Sequence, residues 1–254
     1  MTAGPPGALS QDAFLGGRLQ LWQPVSGYRA GVDPVLLAAA VPARAGEHVL
    51  DLGCGVGAAM LCLAARVPGL VLTGVERQAD YADLARRNAE DAGHEAEIAE
   101  ACLTRLPPTL TARSFDHVIA NPPYFRAAAR AAAPDPGRAA ARGEDTPLAA
   151  WIETAARRLR PRGYLHLIHR AERLPELLSV AEARLGSLEL LPLAAREGRA
   201  PDLVILRARK GGRAPFRLHA PLILHDGPVH LRDGDSYRAW AQAVLRDAAH
   251  LPWP

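Results

Sequence analysis

Two short runs carry residues that can do chemistry. Val49-Leu50-Asp51-Leu52-Gly53-Cys54-Gly55-Val56-Gly57 is an apolar stretch that ends in an acid and then places glycine at alternate positions. Glycine lacks a Cβ, so the chain can turn sharply there and a ligand can lie close to the backbone. A second apolar run, Leu70 to Val75, ends in Glu76, roughly 20 residues on, where folds of this kind bind ribose hydroxyls. Asp51, Gly53, Cys54, Gly55, Gly57, Glu76 and the adjoining Arg77 are the resulting candidates for ligand binding.

The other run is Asn121-Pro122-Pro123-Tyr124, which follows the apolar stretch Phe115 to Ala120. Proline fixes φ and removes an N–H, so this loop presents rigid carbonyl acceptors. An amine on a planar conjugated group is a poor nucleophile, because its lone pair is delocalised. The Asn121 side-chain oxygen and the Pro122 carbonyl can each accept one of its hydrogens. The nitrogen then moves towards a tetrahedral shape and aims its lone pair at an electrophile. Tyr124 supplies a ring for the planar group to stack on, and Tyr124→Phe, which keeps the ring, is expected to be mild. Such catalysis is orientation plus electrostatic stabilisation.

The Asp-x-Gly-x-Gly-x-Gly spacing resembles motif I of the class I S-adenosylmethionine-dependent methyltransferases. It differs from the Gly-x-Gly-x-x-Gly of nicotinamide and flavin enzymes. Asn121 to Tyr124 resembles motif IV of amino-methyltransferases that act on adenine N6, guanine N2 or a glutamine amide. Tyr28-Arg29-Ala30-Gly31-Val32-Asp33-Pro34-Val35-Leu36-Leu37 and Arg217-Leu218-His219-Ala220-Pro221-Leu222-Ile223-Leu224-His225 are similar to the flanking segments of the bacterial valine-tRNA adenine-N6-methyltransferase family. This likeness spans residues 18–240. It implies a Rossmann-like class I fold with a mostly parallel seven-stranded sheet, S-adenosylmethionine as cofactor, and a tRNA adenine beside the anticodon as substrate. It also implies cofactor contacts at the motif I glycines, Glu76 and Asn121, with Asn121, Pro122, Pro123 and Tyr124 as the catalytic loop. One position departs. Many relatives carry an Asp-Leu step after the third strand, where this chain has Cys102-Leu103. A thiol is a weak hydrogen-bond partner, so adenine recognition at Cys102 is expected to be looser.

Three alternatives stand beside this reading. Release-factor glutamine methyltransferases share Asn-Pro-Pro-Tyr, but they carry a helical substrate domain ahead of motif I, and here only 50 residues precede Asp51. A guanine-N2 enzyme uses the same loop chemistry. A non-enzymatic cofactor-binding RNA subunit is the third, and the intact Asn121 to Tyr124 argues against it.

The elements that must position these residues alternate along the chain. Arg18 to Pro24 reads as a strand that turns at Ser26-Gly27 into Tyr28-Arg29-Ala30. Asp33 reads as an N-cap with Pro34 at the first helical position, and the helix runs to Ala40. Strand His48 to Leu52 leads to a helix from Ala58 to Val67. Strand Leu70 to Glu76 leads to a helix from Ala79 to Ala92, closed by Gly93. Further strands are expected over Glu95 to Ala101, Phe115 to Ala120, Tyr164 to Ile168, Leu188 to Ala194 and Leu203 to Arg209. Helices are expected over Asp145 to Arg160 and Glu172 to Leu185. This βαβα order predicts a mostly parallel sheet covered on both faces, with ligands at the strands' carboxyl ends. Both chemical runs then converge on one crevice. Residues 1–17, rich in Gly, Pro and Ala, are expected to be loose, and 18–254 to form a single domain.

With 254 residues, 49% of them apolar, the chain can bury one α/β core. Its net charge of +3 is compatible with nucleic acid without demanding it. Residues 126–142 hold Arg126, Arg130, Arg138 and Arg142 against the single acid Asp135. That segment reads either as a lid that meets phosphates or as a solvated insertion. Arg29, Tyr124 and Phe125 join these arginines as candidate substrate contacts. Cys54, Cys62 and Cys102 lack metal or redox spacing, and the histidines lack ligand spacing, so no metal is expected. No secretory signal or membrane-length apolar run is evident, which points to a cytoplasmic protein. The sequence carries no signal for oligomeric state.

Overall fold

The computed structural model describes residues 7–124, 146–227 and 236–254. In chain order the strands are β1 (Leu9–Phe14), β2 (Leu19–Pro24), β3 (His48–Leu52), β4 (Val71–Glu76), β5 (Ala96–Glu100), β6 (Phe115–Ala120), β7 (Leu159–Arg170), β8 (Gly186–Ala194), β9 (Leu203–Arg209), β10 (Arg217–Leu218) and β11 (Leu222–Ile223). The described helices are α1 (Asp33–Ala39), α2 (Ala58–Arg66), α3 (Ala79–Asp91), α4 (Pro108–Thr111), α5 (Leu148–Arg158), α6 (Leu174–Glu182) and α7 (Ala239–Arg246).

The main sheet runs β5-β4-β3-β6-β7-β9-β8, the expected seven strands, and β10 and β11 add short parallel pairings to β8. Its pairings are parallel except those of β9 with β7 and β8. Strands buried on both faces read as continuous apolar runs, and the pleat sends neighbours to opposite sides. Val49 joins a core layer with Leu36, Met60 and Ala85 of α1, α2 and α3. Leu50 and Leu52 join a second layer with Trp151 and Ile152 of α5 and Leu177 of α6. Because β3, β4 and β6 are parallel neighbours, their carboxyl ends at Leu52, Glu76 and Ala120 lie along one edge.

Four expectations are corrected. β2 pairs with Leu9–Phe14, in register from Leu9↔Pro24 to Phe14↔Leu19, and not with residues 28–30. β1 was hidden in the sequence because only Phe14 of its six residues is buried, leaving no apolar alternation to read. Within the segment expected to be loose over residues 1–17, Leu9–Phe14 forms a strand, while residues 1–6 lie outside the described residues. α5 ends at Arg158, short of the expected Arg160, since Leu159 already pairs with Phe115 at the start of β7. Asp33 is no N-cap; Val32 holds that position and Asp33 lies in the first turn of α1.

Among the described residues, no helix is long and apolar enough to cross a membrane, and no group of three or more His, Cys, Asp or Glu is arranged to hold a metal ion.

Candidate active site

The loop after β3 owes its shape to its glycines. Gly53, Gly55 and Gly57 have φ of 65°, 55° and 86°, a left-handed region that side chains strain. Their surroundings differ. A Cβ on Gly53 would lie 2.4 Å from the Trp151 ring, so Gly53 lets α5 pack against the loop. A Cβ on Gly55 would meet only the Tyr28 ring, 4.0 Å away, so Gly55 faces open space. Gly57 caps α2, and its N–H donates to the Cys54 carbonyl at 2.8 Å. Cys54 turns its buried thiol into the sheet, where a Cβ on Gly74 would come within 2.8 Å of Sγ. What Cys54 offers a ligand is backbone.

Glu76, at the end of β4, braces this loop. Its Oε2 accepts from Gly55 N at 3.0 Å, and Oε1 accepts from Arg77 N and Gln78 N at 2.8 and 2.9 Å. A carboxylate has about four acceptor sites, so three backbone donors leave one for a ligand hydroxyl.

Between the loop and the catalytic run lies a small cleft lined by Tyr28, Ala30, Asp51, Gly53, Cys54 and Asn121 among others. Asp51 is 2% exposed, and its Oδ2 has no hydrogen-bond partner among the described residues. Burial pushes its carboxyl up to about 8, a hydrogen bond from Met60 N pulls the other way, and the nearby Glu76 adds to the rise. A buried, unpartnered carboxyl oxygen is costly. In a cleft with a glycine floor it suits a ligand that brings a cationic N–H donor, such as the ammonium of an amino acid.

Asn121 enters the same cleft from the end of β6. Its Nδ2 donates to the Tyr28 hydroxyl at 3.4 Å. That contact leaves Oδ1 for another donor. Two residues on from Pro122, Tyr124 donates to Asp33 Oδ2 at 2.6 Å, and its ring centre lies 5.3 Å from that of His169 at the end of β7. His169 is fully buried, and burial with the adjacent Arg173 lowers it to about 4, so it is neutral near pH 7. Burial and the charge of Asp33 raise the Tyr124 phenol, which stays protonated as a donor.

The geometry thus brings Asp51, Gly53, Cys54 and Asn121 to one cleft, with Glu76 joined to its glycine loop through Gly55 N and Tyr124 beside Asn121 on the same run. Cys102 lies two residues beyond β5, whose Glu100 is in register with Glu76, and its Sγ is 3.1 Å from Thr104 Oγ1. That hydroxyl lowers the thiol. Arg29 is turned elsewhere: its guanidinium pairs with Asp12 and donates to Ser10 Oγ at 2.8 Å and the Pro24 carbonyl at 2.9 Å. It holds the hairpin and is not among the residues gathered at the cleft. Phe125, Arg126, Arg130, Arg138 and Arg142 lie outside the described residues. Residue-by-residue reading missed Trp151 under Gly53, Tyr28 against Asn121 and Asp33 against Tyr124. Tyr28 and Asp33 stand in the segment that resembles the family's flank, yet no local pattern marks them as partners of a loop more than 90 residues away.

The methyltransferase small domain family matches residues 30–189. A Porphyromonas gingivalis protein named tRNA1(Val) (adenine(37)-N6)-methyltransferase is 34% identical over 228 residues, covering 84% of this chain and 88% of that one. A release factor glutamine methyltransferase of Salmonella typhimurium is 40% identical over only 81 residues, 32% of this chain and 28% of that one. The crystal structure of an Agrobacterium tumefaciens protein described as a predicted O-methyltransferase superposes with a TM-score of 0.68 at 28% identity, covering 85% of this chain and 97% of the other. The chain therefore belongs to the methyltransferase small-domain family and groups there with the tRNA adenine-N6-methyltransferases.

Proposed function

We propose that this chain methylates N6 of an adenine in tRNA, in the anticodon loop, with S-adenosylmethionine as the methyl source. The observation that carries this reading is the meeting in one cleft of the unpartnered Asp51 oxygen and the Asn121 amide. The tRNA substrate is supported by a relative whose likeness runs through most of both chains, whereas the glutamine-methylating relative matches a fragment.

In this reading Asp51, the backbone from Gly53 to Gly57, Glu76, Arg77 and Cys102 hold S-adenosylmethionine, which when bound supplies an electrophilic methyl group on a sulfonium. Asn121 Oδ1 and the Pro122 carbonyl accept the two hydrogens of the adenine amine. That raises the lone pair out of conjugation and stabilises the positive charge that develops on nitrogen. Pro123 keeps the loop stiff and Tyr124 carries the base on its ring. The extra proton on the methylated amine then passes to water. Arg126, Arg130, Arg138 and Arg142 are assigned to tRNA phosphates on their charge alone.

The test is methyl transfer to total tRNA, with digested product identified by mass spectrometry against N6-methyladenosine. Asn121→Ala should lower kcat by roughly 10²–10³-fold, the scale of losing one preorganised transition-state hydrogen bond. Its affinity for S-adenosylhomocysteine should fall far less than kcat, since most cofactor contacts lie on the glycine loop and Glu76. Methylguanosine, or methylated glutamine in a release factor, would overturn the substrate assignment. A fully active Asn121→Ala protein would overturn the mechanism.

A further inference from the structure

Both polar residues of the catalytic loop are held by one short segment that precedes the glycine loop in the chain. Asp33 Oδ2 accepts from the Tyr124 hydroxyl at 2.6 Å, and the Tyr28 hydroxyl accepts from Asn121 Nδ2 at 3.4 Å. The segment itself is anchored at several points. Ala30 N donates to Gln23 Oε1 at 2.7 Å, and Gln23 Nε2 donates to Asp12 at 2.6 Å. Tyr28 N donates to the Tyr81 hydroxyl at 3.0 Å, and that hydroxyl donates back to the Tyr28 carbonyl at 3.1 Å. Asp33 opens α1, whose residues from Pro34 to Ala39 are all buried, so core packing sets the position of its carboxylate.

The prolines of the loop stiffen its backbone but leave the Asn121 and Tyr124 side-chain torsions free. A ring that must receive a planar base works best when its angle is set beforehand, because ordering it on binding costs affinity and rate. An amide that must present oxygen has the same need, since a flip would present NH₂ instead. The guanidinium of Arg170, 5.9 Å from the Tyr124 ring centre, and the His169 ring bound the same side chain, but neither fixes rotation about its long axis as the hydroxyl contact does.

We propose that Asp33 is the positioning residue of the catalytic loop: it holds the Tyr124 phenol so that the ring is set for stacking before substrate arrives, while Tyr28 orients the Asn121 amide. This rests on the reading of that loop as the site of methyl transfer to a planar amine. It reverses the expectation for Tyr124→Phe. Removing the hydroxyl frees the ring and leaves the Asp33 carboxylate without its donor, so the substitution is no longer mild.

A purely structural role is the rival account, because an acid in a first helical turn also stabilises the helix through its dipole. A double-mutant cycle separates the two, using the full chain and whichever substrate the wild-type protein methylates. Asp33→Asn should lower kcat about tenfold, the scale of a hydrogen bond to a charged group, with S-adenosylhomocysteine affinity unchanged. In a Tyr124→Phe background it should cost less than about twofold more, since coupled residues are not additive. An equal loss in both backgrounds, or none in the first, overturns the proposal. Melting temperatures are followed for each variant. Should Asp33→Asn fail to fold, Tyr124→Phe decides alone: a tenfold lower kcat with an unchanged melting temperature supports the proposal, and a wild-type rate overturns it. Product identity is read separately, so a wrong substrate does not imitate a failed coupling.

Discussion

Substituting alanine at Gly53 and at Gly55 should give opposite phenotypes, although both glycines are left-handed and stand two residues apart. At Gly53, with φ of 65°, left-handed strain costs about 1–2 kcal/mol. The new Cβ would lie 2.4 and 2.8 Å from two carbons of the Trp151 ring. Trp151 is 6% exposed on α5 and cannot swing aside, so overpacking adds about 1–3 kcal/mol. Gly53→Ala should lose roughly 2–5 kcal/mol of stability in urea. At Gly55 the strain is similar, about 1–2 kcal/mol, but the nearest atom is 4.0 Å away on Tyr28 and nothing is overpacked. Gly55→Ala should therefore fold and instead fill space a ligand needs. Unfolding with and without S-adenosylhomocysteine reads both effects. At about 100-fold excess over Kd the ligand should raise wild-type stability by about 2.7 kcal/mol. In Gly55→Ala that increment should vanish. A full increment there would refute the placement of the ligand, and wild-type stability in Gly53→Ala would refute the packing argument.

Glu76→Ala should weaken S-adenosylhomocysteine binding by about 1.5–3 kcal/mol by calorimetry, the worth of hydrogen bonds to a charged group. It should also destabilise the free protein, since three backbone N–H groups lose their acceptor. Asp51 is raised from 3.8 to about 8, so the folded state holds its proton more tightly than the unfolded chain does. That contribution to stability is complete below about pH 4 and is lost as the pH rises to about 8, by about 1.4 kcal/mol per unit. Asp51→Asn should flatten this slope, and a difference between variant and wild-type urea midpoints that stays constant from pH 4.5 to 8 would sink the argument. His169, lowered to about 4, slopes the other way below pH 6.5 in both proteins and cancels in the difference. Replacing Arg126, Arg130 and Arg138 together should weaken tRNA binding and flatten its salt dependence while leaving cofactor affinity alone. An unchanged salt slope would return that segment to solvated surface.

What could be read from the chain alone was whatever is encoded locally. The apolar runs ending at Leu52, Glu76 and Ala120 announce parallel strands, because a strand buried on both faces has no polar alternation. Glycine at 53, 55 and 57 announces a left-handed loop, because other residues pay strain there. Asn-Pro-Pro-Tyr announces an acceptor-rich loop, because prolines leave carbonyls without donors. From these followed the fold class and the meeting of Asp51, Gly53, Cys54 and Asn121 in one cleft. β1 escaped because five of its six residues are at least partly exposed, and a strand without a buried face leaves no period in the sequence. The pairing of Arg29 escaped for a related reason: its charge is visible in sequence, while Asp12, which neutralises it, reaches it only when β1 pairs with β2. Asp33 read as a helix cap because local rules know only local partners. That its carboxylate meets Tyr124, and that Trp151 rests on Gly53 where Gly55 stays open, depends on which elements the sheet order brings together. Side-chain contacts across such separations are set by packing of the whole core, and no short window of residues contains them.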